Sequence, residues 1–461
     1  MSGPAGPVAA EPTSLYAAQQ KIYPREVDGR FDRLRRLAVW LLLGLFYLLP
    51  WLPWAGRQSV LFDLPARKFY VFGLVFWPQD FFYLTWLLVI AGVSLFFCTA
   101  LAGRLWCGYA CPQTVWTEVF LRVEYWFEGD RHRRIRLDRG PWTRGKILRK
   151  AGKHTAWIVL ALWTGLTFVG FFTPIRQLGA EVLALATGPW ESFWILFYGA
   201  ATWGNAGFLR EQVCVYMCPY ARFQSAMFDR DTLIIAYDPA RGEPRGSRAR
   251  RADPRAAGLG DCIDCRACVQ ACPTGIDIRN GLQYECIACA ACVDACDSVM
   301  DRMGYARGLI RYTSQQALEG RGTHVIRPRM LVYGALLGLL IAGFFVSLAL
   351  RTPVGLDLMR DRNALYRTLP GGRIENVYLV RIVNKDTRRH RYVLQAAGLP
   401  GIVLDTDARE HVVGPGDVYS VAARVRVPAA AAHGSQLIRV QVRAVDEPRF
   451  AVEREARFLG P

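Results

Sequence analysis

The chain repeats one cysteine pattern, C-x2-C-x2-C-x3-C, as Cys262-Ile-Asp-Cys265-Arg-Ala-Cys268-Val-Gln-Ala-Cys272 and as Cys286-Ile-Ala-Cys289-Ala-Ala-Cys292-Val-Asp-Ala-Cys296. This spacing is typical of proteins that hold two four-iron, four-sulfur clusters. Three closely spaced cysteines bind three corners of one cluster, and the last cysteine of the other run binds the fourth. We therefore predict two [4Fe-4S] clusters, one on Cys262, Cys265, Cys268 and Cys296, and one on Cys272, Cys286, Cys289 and Cys292.

Zinc and disulfide bonds are the two alternative uses of these eight cysteines. Structural zinc prefers two ligand pairs separated by a longer insert, which is not the spacing found here. Disulfides need an oxidising compartment, whereas the charge distribution described below assigns this segment to the cytoplasm. Pro273 follows the first run as such clusters lead one to expect, and Asp297 takes the equivalent place after the second run. Clusters that carry electrons are therefore the favoured interpretation.

The remainder of the chain has the composition of a membrane protein, with 52% hydrophobic residues and 14 Trp. A membrane-spanning helix needs about 20 apolar residues. Five uncharged stretches approach or exceed that length, namely residues 37–55, 81–103, 155–175, 192–209 and 330–350. They predict a polytopic α-helical membrane protein with five spans. The connection at residues 56–80 contains a short apolar run that ends at Pro78, and we expect it to be re-entrant or interfacial rather than a sixth span.

The distribution of Lys and Arg predicts how the chain is oriented in the membrane. Basic residues are concentrated before the first span, between the second and third spans, and after the fourth, whereas the connection between the third and fourth carries only Arg176. The first residues, 1–20, are expected to be a disordered tail and not a cleavable signal peptide. The clusters are then cytoplasmic, and the segment after Arg351 is periplasmic in a Gram-negative inner membrane. Basic loops beside anionic lipid explain the net charge of +18, so no nucleic-acid partner is expected.

The last hundred residues have a different pattern, with short β-branched runs at residues 377–383, 418–427 and 437–443 separated by turn sequences. Such spacing predicts an all-β, immunoglobulin-like sandwich. It contains no cysteine, so the disulfide of antibody domains is excluded, and we expect an interaction module. The predicted domains are an N-terminal tail (1–36), a four-span membrane domain (37–236), an inserted dicluster ferredoxin-like domain (237–310), a linker with the fifth span (311–351) and the sandwich (352–461).

Four further cysteines form two copies of a C-x3-C-P motif, Cys107 to Pro112 and Cys214 to Pro219, each just after an even-numbered predicted span. The membrane part therefore reads as two repeats of span, span and motif, and pseudo-symmetry would bring the four thiols together. Thiols select soft metals, so Cu(I) or zinc is the expected ligand. Within each motif the two cysteines would share one helical face if the helix continued past them. The alternative is that these thiols are structural, as we expect for the isolated Cys98.

Other function classes find no support in the sequence. The six histidines are scattered without ligand spacing, and no dinucleotide, phosphate-binding or nucleophile-elbow motif is present. No predicted span carries an acidic or histidine relay of the kind that a proton pump needs.

Taken together, the paired C-x3-C-P motifs, the two cluster runs with Asp277-Ile-Arg279 after the first, a fifth span and a β-sandwich resemble the CcoG family, also called FixG or RdxA. The resemblance implies an accessory protein of the cbb3-type cytochrome c oxidase that reduces Cu(II) to Cu(I) in the cytoplasm. It implies that the cluster cysteines carry the electrons and that Cys107, Cys111, Cys214 and Cys218 handle copper as the substrate. Implied partners are a copper-exporting ATPase and oxidase assembly components, with an electron donor that the sequence does not identify.

Three hypotheses follow from the sequence. The first is the copper reductase, an iron–sulfur oxidoreductase with its substrate site at the C-x3-C-P thiols. The second is a membrane electron conduit linked to quinol or to a periplasmic reductase, although the chain has no C-x-x-C-H haem site. The third is a non-catalytic assembly factor with structural clusters. A homodimer is compatible with all three.

Overall fold

The computed structural model describes residues 21–250, 258–361 and 364–461. The tail expected at residues 1–20 lies outside the described residues. Within them the helices are, in chain order, α1 (Arg30–Leu48), α2 (Phe81–Ala102), α3 (Leu105–Tyr109), α4 (Pro112–Glu128), α5 (Arg131–Arg139), α6 (Arg144–Val169), α7 (Ile175–Leu183), α8 (Pro189–Gly204), α9 (Pro219–Ala226), α10 (Pro239–Gly242), α11 (Ala267–Ala271), α12 (Ala291–Met303), α13 (Gln315–Leu318) and α14 (Pro328–Ala349).

The described strands belong to five antiparallel sheets, of which three are small and two form the C-terminal domain. They are β1 (Pro53–Trp54), β2 (Arg57–Gln58), β3 (Val60–Asp63), β4 (Lys68–Val71), β5 (Leu74–Phe76), β6 (Ile234–Tyr237), β7 (Ile310–Thr313), β8 (Val354–Arg360), β9 (Arg367–Leu369), β10 (Arg373–Asn384), β11 (His390–Ala397), β12 (Val403–Asp405), β13 (His411–Val413), β14 (Val418–Pro428), β15 (Ser435–Ala444) and β16 (Ala451–Leu459).

Three helical segments of the described chain are long and apolar enough to cross a membrane: Arg30–Trp51, Pro78–Ala102 and Pro328–Ala349. The expected third and fourth spans fall largely on α6 and α8. Helix α6 has 26 residues, but its first turns are strongly basic. Helix α8 has 16 residues, about 24 Å at 1.5 Å per residue, which is less than the hydrocarbon thickness of about 30 Å. The five-span arrangement is therefore not confirmed and stays a prediction.

Residues 56–80 form strands. β3, β4 and β5 pair antiparallel, with Val60 opposite Val71 and Phe69 opposite Phe76. The β-branched and aromatic residues of this segment favour a sheet, and the backbone groups are satisfied by pairing between strands. A re-entrant loop in the hydrocarbon would have left those groups without partners.

The chain divides into two compact units. The first comprises Met1–Leu42, Cys98–Leu160 and Ala201–Ile326, and it contains all of the cluster and C-x3-C-P cysteines. In this unit β6 and β7 pair antiparallel, with Tyr237 opposite Ile310, so the two ends of the predicted ferredoxin-like domain meet in one ribbon. The N-terminal segment, the C-x3-C-P motifs and the dicluster segment thus fold together.

The second unit comprises Leu43–Phe97, Ala161–Ala200 and Arg327–Pro461 and includes the C-terminal sandwich. One sheet has the order β12-β14-β10-β8, with β9 also pairing β10, and the other has the order β13-β11-β15-β16. Alternating side chains of β10, β14 and β15 are buried between the sheets, including Tyr378, Val380 and Val440. The three runs expected as strands lie within these three strands.

One buried carboxylate ties the sandwich to two apolar helices of the second unit. Asp80, next to the start of α2, accepts hydrogen bonds from Arg351 at 2.6 Å, just after α14, and from Lys385 at 2.9 Å, just after β10. Its side chain is 7% exposed. Two cations neutralise the carboxylate, so its burial does not leave an uncompensated charge.

Candidate iron–sulfur and thiol site

The two cysteine runs fold into two loops of the same local structure. In each loop the central cysteine stands between two residues with left-handed backbones, Asp264 and Arg266 around Cys265, and Ala288 and Ala290 around Cys289, with φ values of 52°, 54°, 53° and 59°. Non-glycine residues rarely adopt this conformation, and such residues often mark functional sites. A helix follows each loop, α11 in the first copy and α12 in the second. In both loops the left-handed residues make the backbone curve around the cysteine thiols.

Each predicted ligand set lines its own cavity in the first unit. One cavity is lined by Cys262, Cys265, Cys268 and Cys296. A second cavity is lined by Cys272, Cys286, Cys289 and Cys292, and Cys268 also reaches it. The other lining side chains are mainly apolar, with Arg266 and Arg279 beside the first cavity. Four thiols around an apolar cavity are the donor set that a [4Fe-4S] cluster requires, so the residues fit the cofactor.

Each predicted set of cluster thiols lies around a cavity. Within the described residues, no three Cys, His, Asp or Glu side chains converge closely enough to hold a single metal ion. Tetrahedral zinc needs four ligands at about 2.0–2.3 Å from one point. The thiols instead surround a volume, as they must around a cubane. All thirteen cysteines are free of disulfides.

Burial raises the pKa of the cluster thiols. The pKa of Cys289 is raised to about 11, and those of Cys268, Cys286 and Cys296 to about 12, in each case mainly by desolvation. Neutral thiols are therefore favoured at pH 7 without iron, and cluster binding must displace protons from them. Arg35 moderates this effect at Cys289, since its guanidinium lowers that pKa and donates to the Cys289 carbonyl at 2.6 Å.

The two cluster loops differ in their surroundings. Cys265 is exposed, as are its neighbours Asp264 and Arg266. Cys289 is buried, and the equivalent neighbours Ala288 and Ala290 are 4% and 0% exposed. The first cluster loop therefore faces solvent, whereas the second lies inside the unit.

The two C-x3-C-P motifs also share a local structure. Cys107 lies in the short helix α3, and Cys214 lies in a single π-helical turn, Val213–Met217. The second cysteine of each motif has an extended backbone, and the proline after it is the first residue of α4 or α9. Proline is well tolerated there because its missing N–H would be unsatisfied in any case. The cysteines of a motif thus stand on either side of a break at the proline, and the condition for a shared helical face is not met.

The first unit brings the four motif thiols into one neighbourhood. Burial raises the pKa of Cys107 to about 11 and that of Cys214 to about 12, and neighbouring motif thiols raise both further. Cys107 and Cys214 also pack against the hydrophobic core of the dicluster segment. Cys98, expected to be a core residue, is instead exposed on α2. It lies near the end of a candidate span, where an apolar surface suits lipid.

Two glutamines connect the motifs to each other. The thiol of Cys107 donates to Oε1 of Gln224 on α9 at 3.2 Å, and Gln224 is fully buried. In the other direction, Nε2 of Gln113 on α4 donates to the carbonyls of Asn205 at 3.0 Å and Arg210 at 3.1 Å, just before the second motif. Neither Gln113 nor Gln224 was predicted from the sequence to contact the motifs. The position of Gln113 directly after Cys-Pro was the available signal, whereas Gln224 is six residues beyond Cys218 and gave none.

The first motif touches the second cluster loop directly. A Cβ atom added to Gly108 would lie 2.8 Å from the carbonyl oxygens of Ile287 and Ala288. Tyr312 donates from its hydroxyl to the same Ala288 carbonyl at 2.5 Å, and its oxygen is 3.3 Å from that of Tyr109. Only glycine permits so close an approach between two backbones. The loop that holds Cys107 and Cys111 therefore packs against the loop that holds Cys286 and Cys289.

An open cavity of about 230 Å³ in the first unit reaches both Cys214 and Cys289. Its wall is charged, with Glu118 and Glu211 among the acids and Arg36 and Arg122 among the bases. The cavity provides a route from solvent to Cys214 of the second motif.

A buried ion-pair network holds the segment before the second motif. Arg210, which has a left-handed backbone with φ 42°, donates to Glu124 at 2.7 Å. Glu124 is fully buried. Burial raises its pKa, but Arg210, Lys153, Lys21 and Arg134 outweigh that effect, and the pKa is lowered overall. The charged form is thus retained inside the unit, and it fixes Arg210 four residues before Cys214.

These features define an iron–sulfur protein with two cluster sites, apolar helices suited to a membrane and a β-sandwich. Family models match three segments: a 4Fe-4S dicluster domain at residues 209–315, the IG-like fold at the C-terminus of FixG at residues 344–461, and a 4Fe-4S binding domain at residues 80–135, which includes Cys107 and Cys111.

The chain is 38% identical to the nitrogen fixation protein FixG of Rhizobium meliloti over 427 residues, covering 85% of this chain and 82% of that protein. It is 41% identical to protein RdxB of Cereibacter sphaeroides over 415 residues, covering 87% of each. Protein RdxA of the same organism is 39% identical over 402 residues, covering 84% of each. A crystal structure of a FixG-related protein from Vibrio parahaemolyticus is 26% identical, with a TM-score of 0.22, covering 23% of this chain and 96% of that one.

The chain belongs to the FixG/RdxA family of membrane-associated iron–sulfur proteins that transfer electrons.

Proposed function

We propose that this protein reduces Cu(II) to Cu(I) at the four C-x3-C-P thiols, with electrons that arrive through the dicluster segment. The observation that carries the proposal is the contact of Gly108 with Ile287 and Ala288, which joins the first thiol motif to the second cluster loop. Bound clusters supply single electrons, and one electron is what Cu(II) requires. The thiols match the softness of the Cu(I) product.

The residues around the C-x3-C-P thiols are suited to binding copper ions that enter as Cu(II) and leave as Cu(I). The charged cavity that reaches Cys214 includes Glu118 and Glu211, and carboxylates are acceptable ligands for the harder Cu(II) ion. Gln224 accepts the hydrogen bond of the Cys107 thiol and so orients that sulfur before copper arrives. The pKa values of Cys107 and Cys214 are raised by burial, so Cu(I) capture releases protons from both.

We place the clusters and thiols on the cytoplasmic face of a bacterial inner membrane and the sandwich in the periplasm. The basic residues at 131–153 and 241–250 support this orientation. An odd number of crossings puts the two ends of the chain on opposite sides, so three and five spans give the same result. Labelling of a cysteine introduced at Arg176 separates the two: periplasmic access requires five spans, and cytoplasmic access requires three.

The resemblance to the CcoG family supports a role in cbb3-type oxidase assembly. Cu(I) would pass to a copper-exporting ATPase and then to the oxidase, with the periplasmic sandwich as the surface for assembly components. A homodimer is compatible with this role.

The test compares Cys107→Ser with Cys98→Ser, a matched change of an exposed cysteine outside the motifs. Both variants should retain about eight iron atoms per chain, four for each cluster. Cys107→Ser should lose most of its rate of Cu(I) formation, measured with a Cu(I)-specific chelator, whereas Cys98→Ser should keep it. Loss of iron in Cys107→Ser would make the thiol a cluster ligand, and an unchanged copper rate would remove the proposed site. Cluster reduction by quinol would favour the electron-conduit hypothesis.

A further inference from the structure

The two cluster loops have the same backbone conformation but differ in the residues that they expose. At equivalent positions, Asp264 and Arg266 flank the exposed Cys265, whereas Ala288 and Ala290 flank the buried Cys289. The alanine loop is the one that packs against the C-x3-C-P motif. Asp264 and Arg266 of the charged loop are exposed, and Arg266 also borders the first cluster cavity. The dicluster segment therefore has one side built for packing against the thiol site and one side open to solvent.

The solvent-facing side is rimmed by arginines. Residues 241–250 carry four arginines and one glutamate, and this segment lies beside the first cluster loop because Gly246 donates its N–H to the Cys262 carbonyl at 3.1 Å. Arg248 donates to the Gly260 carbonyl at 2.7 Å, which holds the segment in place. Arg266 is exposed, and its charge helps Arg279 to lower the pKa of the neighbouring Asp264.

The acids near this rim are already paired. Asp264 and Asp277 both accept hydrogen bonds from Arg279, at 2.5 and 2.7 Å. Asp261 accepts from Arg241 at 2.6 Å. Arg279 offsets one of the two aspartate charges, and Arg245 forms an ion pair with Glu243 at 3.5 Å. The positive charge of the rim therefore rests mainly on Arg248 and Arg266.

We propose that this surface, the Cys265 loop with Arg245, Arg248 and Arg266, docks a small acidic one-electron carrier protein that delivers electrons to the first cluster site. The inference rests on the proposed role of the clusters as electron carriers. The carrier loses one electron and the site on Cys262, Cys265, Cys268 and Cys296 gains it, with no bond made or broken. The second site then passes the electron to the copper site. A patch of one charge sign selects a partner of the opposite sign and speeds its association.

The large cavity at Cys289 is the competing place for a donor, because a small reductant there would reach the second site directly. Its wall carries acids and bases in similar numbers, so it lacks the net charge of the rim. The burial of Cys289 also excludes a protein from close approach. A small-molecule donor is therefore an outcome of the test.

The test uses the full-length protein in detergent with its clusters intact, and an acidic bacterial ferredoxin as the probe. The first measurement is the dissociation constant for oxidised ferredoxin at low and high salt. Arg266→Glu should weaken binding and slow cluster reduction by about tenfold at low salt, as expected for loss of electrostatic steering, and the difference should shrink at high salt. Arg139→Glu, a charge reversal on an exposed arginine of α5, is the matched control and should bind as the wild type does.

Dithionite reduction and iron content show whether each variant still holds its clusters. Arg245→Glu provides a second variant at the rim if Arg266→Glu loses iron. Equal ferredoxin binding by wild type and both rim variants would overturn the proposal, as would cluster reduction by quinol or a nicotinamide but not by ferredoxin. Failure of the copper chemistry looks different: ferredoxin would still bind and reduce the clusters, but no Cu(I) would appear.

Discussion

The substitution Gly108→Ala adds one methyl group at the contact between the first C-x3-C-P motif and the second cluster loop, and it tests whether electrons pass through that contact. The residue lies in α3, between the two cysteines of the first motif, and it contacts the second cluster loop. In Gly108→Ala the new Cβ would stand 2.8 Å from the Ile287 and Ala288 carbonyl oxygens, whereas ordinary contact begins at 3.4 Å. Both neighbours are backbone atoms and cannot rotate away. The two loops must therefore separate by about 0.6 Å.

Overpacking of this kind costs about 1–3 kcal/mol. The intrinsic effect of the change has the opposite sign, because alanine is favoured over glycine within a helix by about 1 kcal/mol. The net destabilisation is therefore up to about 2 kcal/mol. At about 2–4 °C for each kcal/mol, Gly108→Ala should lower the temperature at which half of the cluster absorbance is lost by up to about 8 °C. It should also slow the appearance of Cu(I) in a single turnover after dithionite reduction, since the loops that carry the electron are further apart.

Gly145→Ala is the matched control. Gly145 is exposed in α6, and its Cβ would meet no atom within 4 Å. This variant should keep or slightly raise the temperature of cluster loss and leave the copper rate unchanged. If Gly108→Ala behaves as Gly145→Ala does in both measurements, the contact between the two loops is not the path to the thiols, and the reasoning is refuted.

Three further changes test other contacts in the first unit. Gln224→Leu removes the acceptor of the Cys107 thiol, so Cu(I) formation should slow while iron content stays the same; an equal loss of iron would mean a merely structural role. Glu124→Gln leaves Arg210 buried beside a neutral partner and should destabilise the unit by about 3–5 kcal/mol, measured as thermal loss of clusters; a change below 1 kcal/mol would contradict the burial argument. Asp294 of α12 accepts the N–H of Asp32 at 2.7 Å in the first turn of α1, so Asp294→Ala should cost about 1–2 kcal/mol and increase proteolysis before α1, and unchanged proteolysis would argue against this cap.

The cluster runs and the sandwich could be recognised from sequence because their signals are local. The ligand pattern is visible in the spacing of the cysteines at residues 262–296. Strands β14 and β15 alternate apolar and polar residues over much of their length, and the run within β10 is rich in β-branched residues. Neither signal depends on distant parts of the chain. Membrane spans cannot be delimited from hydropathy alone, because hydropathy does not show where a helix ends. Residues 192–209 are uncharged throughout, yet α8 ends at Gly204 and gives way to a π-helical turn.

The side chains that surround the C-x3-C-P thiols could not be predicted from local sequence patterns. The partner of Cys107 is Gln224, 117 residues away, and the ion pair of Glu124 with Arg210 joins residues 86 apart. Such contacts depend on tertiary packing, which periodicity does not encode. The C-x3-C-P spacing would place both cysteines on one helical face only if the helix continued past them, and Pro112 and Pro219 each begin a new helix after the second cysteine. Proline cannot continue a helix through its interior without loss of a hydrogen bond.

The central claim is that reduced clusters pass electrons to copper at the C-x3-C-P thiols, and one anaerobic experiment tests it most directly. The purified protein is reduced, freed of excess reductant and mixed with one equivalent of Cu(II), while cluster absorbance and a Cu(I)-specific chelator are followed together. The account predicts stoichiometric Cu(I) as the clusters are oxidised, and a much slower reaction in a Cys107→Ser/Cys111→Ser variant with unchanged iron content. Equal rates in the two proteins would contradict it, because the copper would then be reduced by exposed clusters without the thiol site.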